Sequence, residues 1–144
     1  MSRCMLVLDL QGDKVPAMVT QQIENLSGQL PTVVSTQIEG GEALSSLVAG
    51  EQSFSHHGLQ VSADAIQYIR SRNFDEVLIV GGFMDAKLVA ACIALHDGGL
   101  KPIIISPLCY GNLWYEHSVT LRMLESEVGA KVYQSAIEAG VSGL

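Results

Sequence analysis

The chain has 144 residues, 48% of them apolar and 16% charged, with a formal net charge of −7. That length fits one compact domain spanning 1–144, and so few charges require much of the surface to be buried in a core or against another subunit. Only Arg3 and Lys14 are basic among the first 69 residues, which excludes a Lys/Arg field able to hold a phosphate backbone, so nucleic acid is not an expected partner.

Short apolar runs alternate with longer amphipathic stretches along the chain. Residues 4–9, 32–36, 75–81, 101–106 and 130–134 are rich in Val and Ile and are bounded by Gly, Pro or polar residues, as strands buried on both faces should be. Between the first two, residues 15–29 place Val15, Met18, Val19, Ile23 and Leu26 on one helical stripe, with Pro16 tolerated in the first turn. The segment 37–60 is the least regular, with a short helix expected at 42–49 and an edge strand near 51–54. A second helix is predicted over 62–72 from Ser62 as N-cap, a third over 85–97 from Asp85, and a fourth over 112–127 ending at Gly129. Strand–helix alternation implies right-handed crossovers and a three-layer α/β/α domain with a mainly parallel, Rossmann-like sheet of five to six strands. In such sheets ligands bind beyond the carboxyl ends of the strands, so Asp9, Thr36 and the turn from Gly81 to Lys87 should converge on one crevice.

Cys4, Cys92 and Cys109 are odd in number and widely spaced in apolar or Gly/Pro surroundings, which reads as free thiols in a reducing compartment. The first ten residues carry one Arg and an apolar run too short to span a bilayer. A cytoplasmic location with no membrane partner is the resulting expectation. A nucleotide-binding Rossmann domain is disfavoured, because Gly81-Gly82 follows a strand but no G-x-G-x-x-G completes a phosphate cradle.

The ordered set LVLDLQGD, EQSFS, VLIVGGFMDAKLVAACIAL, KPIIISPLCYG and EHSVTLRMLESEVGAKVY resembles the isochorismatase-like hydrolases, or cysteine hydrolase superfamily, from residue 4 to about 134. The resemblance implies the isochorismatase-like fold and a site in which Asp, Lys and Cys hydrolyse small amides or related substrates through a thioester. It carries the Asp onto Asp9. The Lys that precedes an aromatic-Ser pair by three residues falls on Glu51, and the Cys that opens the helix after the Gly turn falls on Lys87.

A thiolate at a helix N-terminus is stabilised by the dipole, whereas an ammonium there is opposed by it, and nearby carboxylates would keep that amine protonated. A buried Asp9–Lys87–Glu51 cluster that satisfies its own charges is the expected outcome. Phe54, His56, His57, Phe83, Met84 and Thr36 are the candidate ligand-binding residues around it. Phe83-Met84 occupies the turn that in the family shapes an oxyanion hole, so the backbone N–H groups around Ala86 and Lys87 are candidates to bind a carbonyl or carboxylate.

Each of these residues also has a plainer reading. Asp9 serves equally as a strand-end turn former, Lys87 as a solvated helix residue, Cys92 as a small core residue and His56-His57 as loop histidines. The Asp-x-His metal pattern of nicotinamidase-like relatives is absent, so no metal and no cofactor are expected. His96 and His117 read as surface residues, and Tyr110, Trp114 and Tyr115 as crevice or interface aromatics. Two functions stand: a non-catalytic protein binding a small ligand or partner in the old crevice, and a thiol-free hydrolase of a small amide or vinyl ether with Asp9 as general acid or base, helped by His56 or His57. The apolar composition and the resemblance both imply a homo-oligomer, a dimer or larger.

Overall fold

The computed structural model describes residues 2–10, 15–39, 42–43, 46, 48–58, 60–82, 85–110 and 114–141, and of these the side chains of 39, 42–43, 82, 85 and 114–117 are outside the description. Phe83 and Met84 are among the residues not described, as are the side chains of Trp114, Tyr115 and His117.

Among the described residues seven strands and four α-helices follow in the order β1 (Arg3–Leu8), α1 (Ala17–Ser27), β2 (Thr32–Glu39), β3 (Glu42–Ala43), β4 (Gln52–His56), α2 (Ala63–Ser71), β5 (Glu76–Gly82), α3 (Asp85–Asp97), β6 (Lys101–Tyr110), α4 (Trp114–Met123) and β7 (Lys131–Tyr133). Six strands form one parallel sheet in the order β4-β2-β1-β5-β6-β7, and β3 adds a two-residue antiparallel pairing on β2. The three-layer α/β/α architecture read from the sequence is the one observed.

The central strands are buried on both sides because their residues alternate between two cores. Cys4, Leu6, Leu8, Val33, Val77, Ile79 and Ile104 point to the side covered by α2, α3 and α4. Met5, Val7, Val34, Leu78, Val80, Ile103 and Ile105 point to the side covered by α1 and the segment around Ala139 and Val141. Every one of these strand residues is 2% exposed or less.

Several boundaries differ from the sequence reading. The helix expected at 42–49 is replaced at its start by β3. The edge strand near 51–54 is present as β4 at Gln52–His56. Helix α1 begins after Pro16, and Met18 faces solvent at 73% exposure, so the apolar stripe narrows to Val19, Ile23 and Leu26. Helix α4 widens into a π-helical turn, Leu124–Val128, before Gly129 ends it in the left-handed conformation at φ 75°. Along α4 and the turn that follows, Val119 is exposed, while Leu121 and Leu124 are buried. Ser62 caps α2 as expected, its Oγ accepting the Ala65 N–H at 3.2 Å.

Gly81 sets the geometry of the carboxyl edge. Its φ is 140°, and a Cβ built there would lie 1.9 Å from the Leu8 carbonyl oxygen. Only a glycine lets β5 approach β1 this closely at their carboxyl ends. The same stretch of β5 slips register against β6 between Ile79 and Gly81.

Candidate functional site at the carboxyl edge of the sheet

Asp9 follows β1 directly and adopts φ 48°, a conformation rare for non-glycine residues and most tolerated by Asn and Asp. The bend is held from both ends: its N–H donates to the Ser35 carbonyl at 3.1 Å, and Oδ1 accepts the Gln37 N–H at 2.7 Å. Asp9 thereby continues by side chain the β1–β2 ladder that its own backbone leaves.

The second carboxylate oxygen faces two nitrogens. Lys87 Nζ lies 3.1 Å from Oδ2 and His56 Nε2 lies 3.2 Å from it, with the side chains of Asp9, Lys87 and His56 only 4%, 14% and 3% exposed. Oδ2 is thus enclosed between these two nitrogens, although neither contact is well aligned for a hydrogen bond. Lys87 Nζ donates instead to Gln37 Oε1 at 2.8 Å. On the far side of the imidazole, His56 Nδ1 is 2.7 Å from Ser35 Oγ. A continuous polar chain therefore runs Ser35–His56–Asp9–Lys87–Gln37. Burial opposes ionisation of Asp9, but His56 and Lys87 outweigh it and hold the carboxyl below its ordinary value. The carboxylate is charged at neutral pH.

Strand geometry explains who meets whom. Alternation along β2 sends Ser35 and Gln37 to the side of the sheet that α3 covers, and Thr36, with Val34, to the α1 side. Thr36 is buried but lies across the sheet from Lys87 and His56. On β4, Phe54 and His56 share a face two residues apart. Phe54 packs at a tilt of 54° against Tyr68 of α2, with ring centres 5.6 Å apart, and serves that packing. His57, one residue on, is exposed.

The expected Asp9–Lys87–Glu51 cluster forms only in part. Glu51 sits at the amino end of β4, where its N–H donates to the Thr32 carbonyl at 2.8 Å and its carboxylate takes Arg72 Nη1 at 2.6 Å and Tyr68 OH at 3.2 Å. From there to His56 is a strand length of five residues, roughly 16 Å at about 3.3 Å per residue. The third corner is His56, for which the sequence also allows a solvated loop histidine; at 4% exposure it is not one. Ser35 and Gln37 escape the sequence reading. The available signal is the polar alternation closing an otherwise apolar strand, VVSTQ, at the edge where ligands bind.

The thiols lie elsewhere. Cys4, Cys92 and Cys109 are all buried. Burial pushes Cys4 and Cys92 up to about 12, Glu51 adding to the effect at Cys4, and raises Cys109 further still. Such thiols are neutral packing groups at neutral pH. Among the described residues no cluster of three or more His, Cys, Asp or Glu side chains is placed to hold a metal ion, and no helix is long and apolar enough to cross a membrane.

No protein-family model and no curated protein sequence matches the chain. Solved structures do. The nicotinamidase PncA from Bacillus subtilis superposes with a TM-score of 0.75 at 14% identity, covering 93% of this chain and 100% of that one. An isochorismatase-like hydrolase from Alkaliphilus metalliredigens gives 0.75 at 14% identity over 96% and 97% of the two chains. YcaC from Pseudomonas aeruginosa gives 0.77 at 11% identity over 96% and 78%. With its β4-β2-β1-β5-β6-β7 parallel sheet between helical layers, the chain has the fold of the isochorismatase-like hydrolases and nicotinamidases.

Proposed function

We propose that this chain is an isochorismatase-like protein that binds a small carboxamide or carboxylic acid at the carboxyl edge of its sheet and does not hydrolyse it through a thiol. The observation that carries the reading is Lys87: the first turn of α3 presents an amine tied to Asp9 and Gln37 where the family resemblance calls for cysteine. All three thiols of the chain are buried, so none replaces the missing nucleophile. An ammonium at 3.1 Å from an ionised carboxylate has no free electron pair with which to attack a carbonyl.

The ligand class follows from the donors and acceptors on offer. Asp9 Oδ2 is a buried acceptor with no well-aligned donor among its neighbours, which suits an incoming N–H or O–H. The amino end of α3 and the Lys87 ammonium favour a carbonyl or carboxylate oxygen beside it. A primary amide or a protonated acid answers both. That the fold neighbours include nicotinamidases, named for a carboxamide, agrees with this class.

Titration of purified protein with nicotinamide, nicotinate and N-carbamoyl compounds, read by calorimetry, is the test. Saturable binding that Asp9→Asn weakens at least tenfold is expected; no binding across the panel would reject the reading. A second reading, a thiol-free hydrolase with Asp9 as general base, is favoured by the buried, ionised carboxylate and by its contact with His56. Turnover of an amide or of isochorismate that Asp9→Ala abolishes and Cys92→Ala leaves intact would replace the first reading by the second.

A further inference from the structure

Strand β7 starts late. Its first residue, Lys131, pairs with Ile103, the third residue of β6, so Lys101 and Pro102 at the amino end of β6 have no partner on β7. Pro102 carries no N–H and so leaves no donor unpaired there. The open corner holds a cavity of about 430 Å³, bordered by Val128 and Gly129 on one side and by His96 at the end of α3 on the other. Val128 comes from the π-helical turn Leu124–Val128, and such turns are frequent at functional sites.

The floor of this cavity is apolar: Leu100, Pro102 and Ile103 are buried and Val128 is half-buried. Its rim is cationic. Lys101 lies two residues before Ile103 and Lys131 lies opposite it, so all three point to one face of the sheet. The two lysine Cα atoms are then roughly 8 Å apart, at about 3.3 Å per residue and about 4.8 Å per strand. Among the described residues the one carboxylate on the wall is Glu76, which lies between Arg3 and Lys101 in the register and pairs with Arg3 at 2.7 Å. Neither Lys101 nor Lys131 forms an ion pair with a described residue. Two of the chain's four lysines, in a molecule of net charge −7, thus stand over one apolar floor without a counter-charge. A single exposed lysine is ordinary, but two neighbouring ones repel, and an anion between them turns that repulsion into attraction. Water solvates the ammonium groups and still leaves the apolar floor wet, which an apolar body would relieve.

We propose that this corner is a second ligand site and that it takes a small organic anion. The oxyanion head sits between the Lys101 and Lys131 ammonium groups, with His96 as a further N–H donor, and the apolar body lies over Leu100, Pro102, Ile103 and Val128. The volume falls within the range of small-ligand pockets, about 300–1,000 Å³. Neither an inorganic anion nor a neutral hydrocarbon uses both halves of the site. None of the Asp9 cluster lines it, and Lys87 and His96 stand at opposite ends of α3, roughly 13.5 Å apart along the axis. The site therefore holds or fails independently of the proposed function.

The probe is 2-naphthoate, titrated into the full chain and followed by calorimetry and by amide nuclear magnetic resonance. Saturable binding is expected, with the largest amide shifts at Lys101, Ile103 and residues 128–131. Absence of saturation by about 1 mM, or shifts confined to Asp9, Gln37 and Lys87 or to the outer face of α3, overturns the proposal. The cation 2-naphthylmethylamine, with the same ring system, should bind about tenfold more weakly or worse, and equal binding of the two overturns the anion preference and with it the proposal. Both lysines are exposed, so a Lys101→Gln/Lys131→Gln double variant should keep the wild-type circular dichroism and raise the dissociation constant for 2-naphthoate about tenfold or more. A folded double variant that binds as tightly as the wild type overturns it.

Discussion

At the carboxyl edge of the sheet Asp9 faces Lys87 at 3.1 Å with side chains 4% and 14% exposed; at the amino edge Glu51 faces Arg72 at 2.6 Å with side chains 31% and 43% exposed. The outer pair is the shorter, yet the inner pair is the one the fold depends on. Water solvates Glu51 and Arg72 whether or not they touch, so their contact adds little. Asp9 and Lys87 have surrendered most of that solvation, and neither can lose the other without leaving an uncompensated charge in a low-dielectric surrounding. Burial, not distance, ranks the two carboxylates.

The comparison is broken most directly by deleting each acid in turn. Asp9→Ala should cost about 3–5 kcal/mol in denaturant unfolding, since it leaves the largely buried Lys87 without its counter-charge and His56 Nε2 without its partner. An effect as small as that of a surface substitution would mean the cluster is solvated after all. Gly81→Ala tests the backbone that builds this edge: a Cβ 1.9 Å from the Leu8 carbonyl oxygen, at φ 140°, should destabilise by about 2–4 kcal/mol through overpacking and strain. Lys87→Met keeps the stem and removes the charge. Asp9 retains the Gln37 N–H and His56, so the loss should be smaller, about 1–2 kcal/mol.

Acid sharpens the contrast further. Asp9 has its folded-state value depressed, so its contribution is fully present above the ordinary carboxylate value of about 3.9 and is lost as pH falls through the lower folded value. Wild-type stability measured by denaturant melts should therefore drop more steeply below about pH 4 than that of Asp9→Asn, whose side chain does not titrate. Parallel curves would show that Asp9 gains nothing from its neighbours. Glu51→Gln should be the mildest change of all, barely moving the melting temperature, because Arg72 returns to water.

Much of the fold is legible in the sequence because hydrophobic period is a local property. The run CMLVLD, the Val/Ile stretches at 75–81 and 101–106 and the helix signals at Ser62 and Gly129 each announce their element from neighbouring residues. Asp9 and Lys87 are legible for a related reason: each lies within one residue or two of a strand end or helix start, and the carboxyl edge of a parallel sheet gathers such positions. Glu51 is misplaced by the sequence reading because its assignment rests on spacing within EQSFS alone. Spacing along a strand does not say which end of the strand faces the site, and five residues of β4 separate Glu51 from that edge. His56 is ambiguous because an adjacent pair of histidines offers no period from which to tell the inward one. Once β4 forms, alternation decides: Phe54 and His56 turn inward, and His57 beyond them is exposed.

By itself, the sequence determined the layered α/β architecture, the position of Asp9 at the end of the first strand, the amine in the first turn of α3 and the lack of a thiol at that position, since each depends only on residue identity and local pattern. Tertiary structure decided the rest. The parallel register of β4 on β2 brought His56 against Ser35 and Asp9 and left Glu51 with Arg72, and the close approach of β1 and β5 at Gly81 fixed where the edge lies. Partners in a buried polar network are residues far apart in the chain, such as Gln37 and Lys87, and only strand register sets which of them are near enough to share a charge.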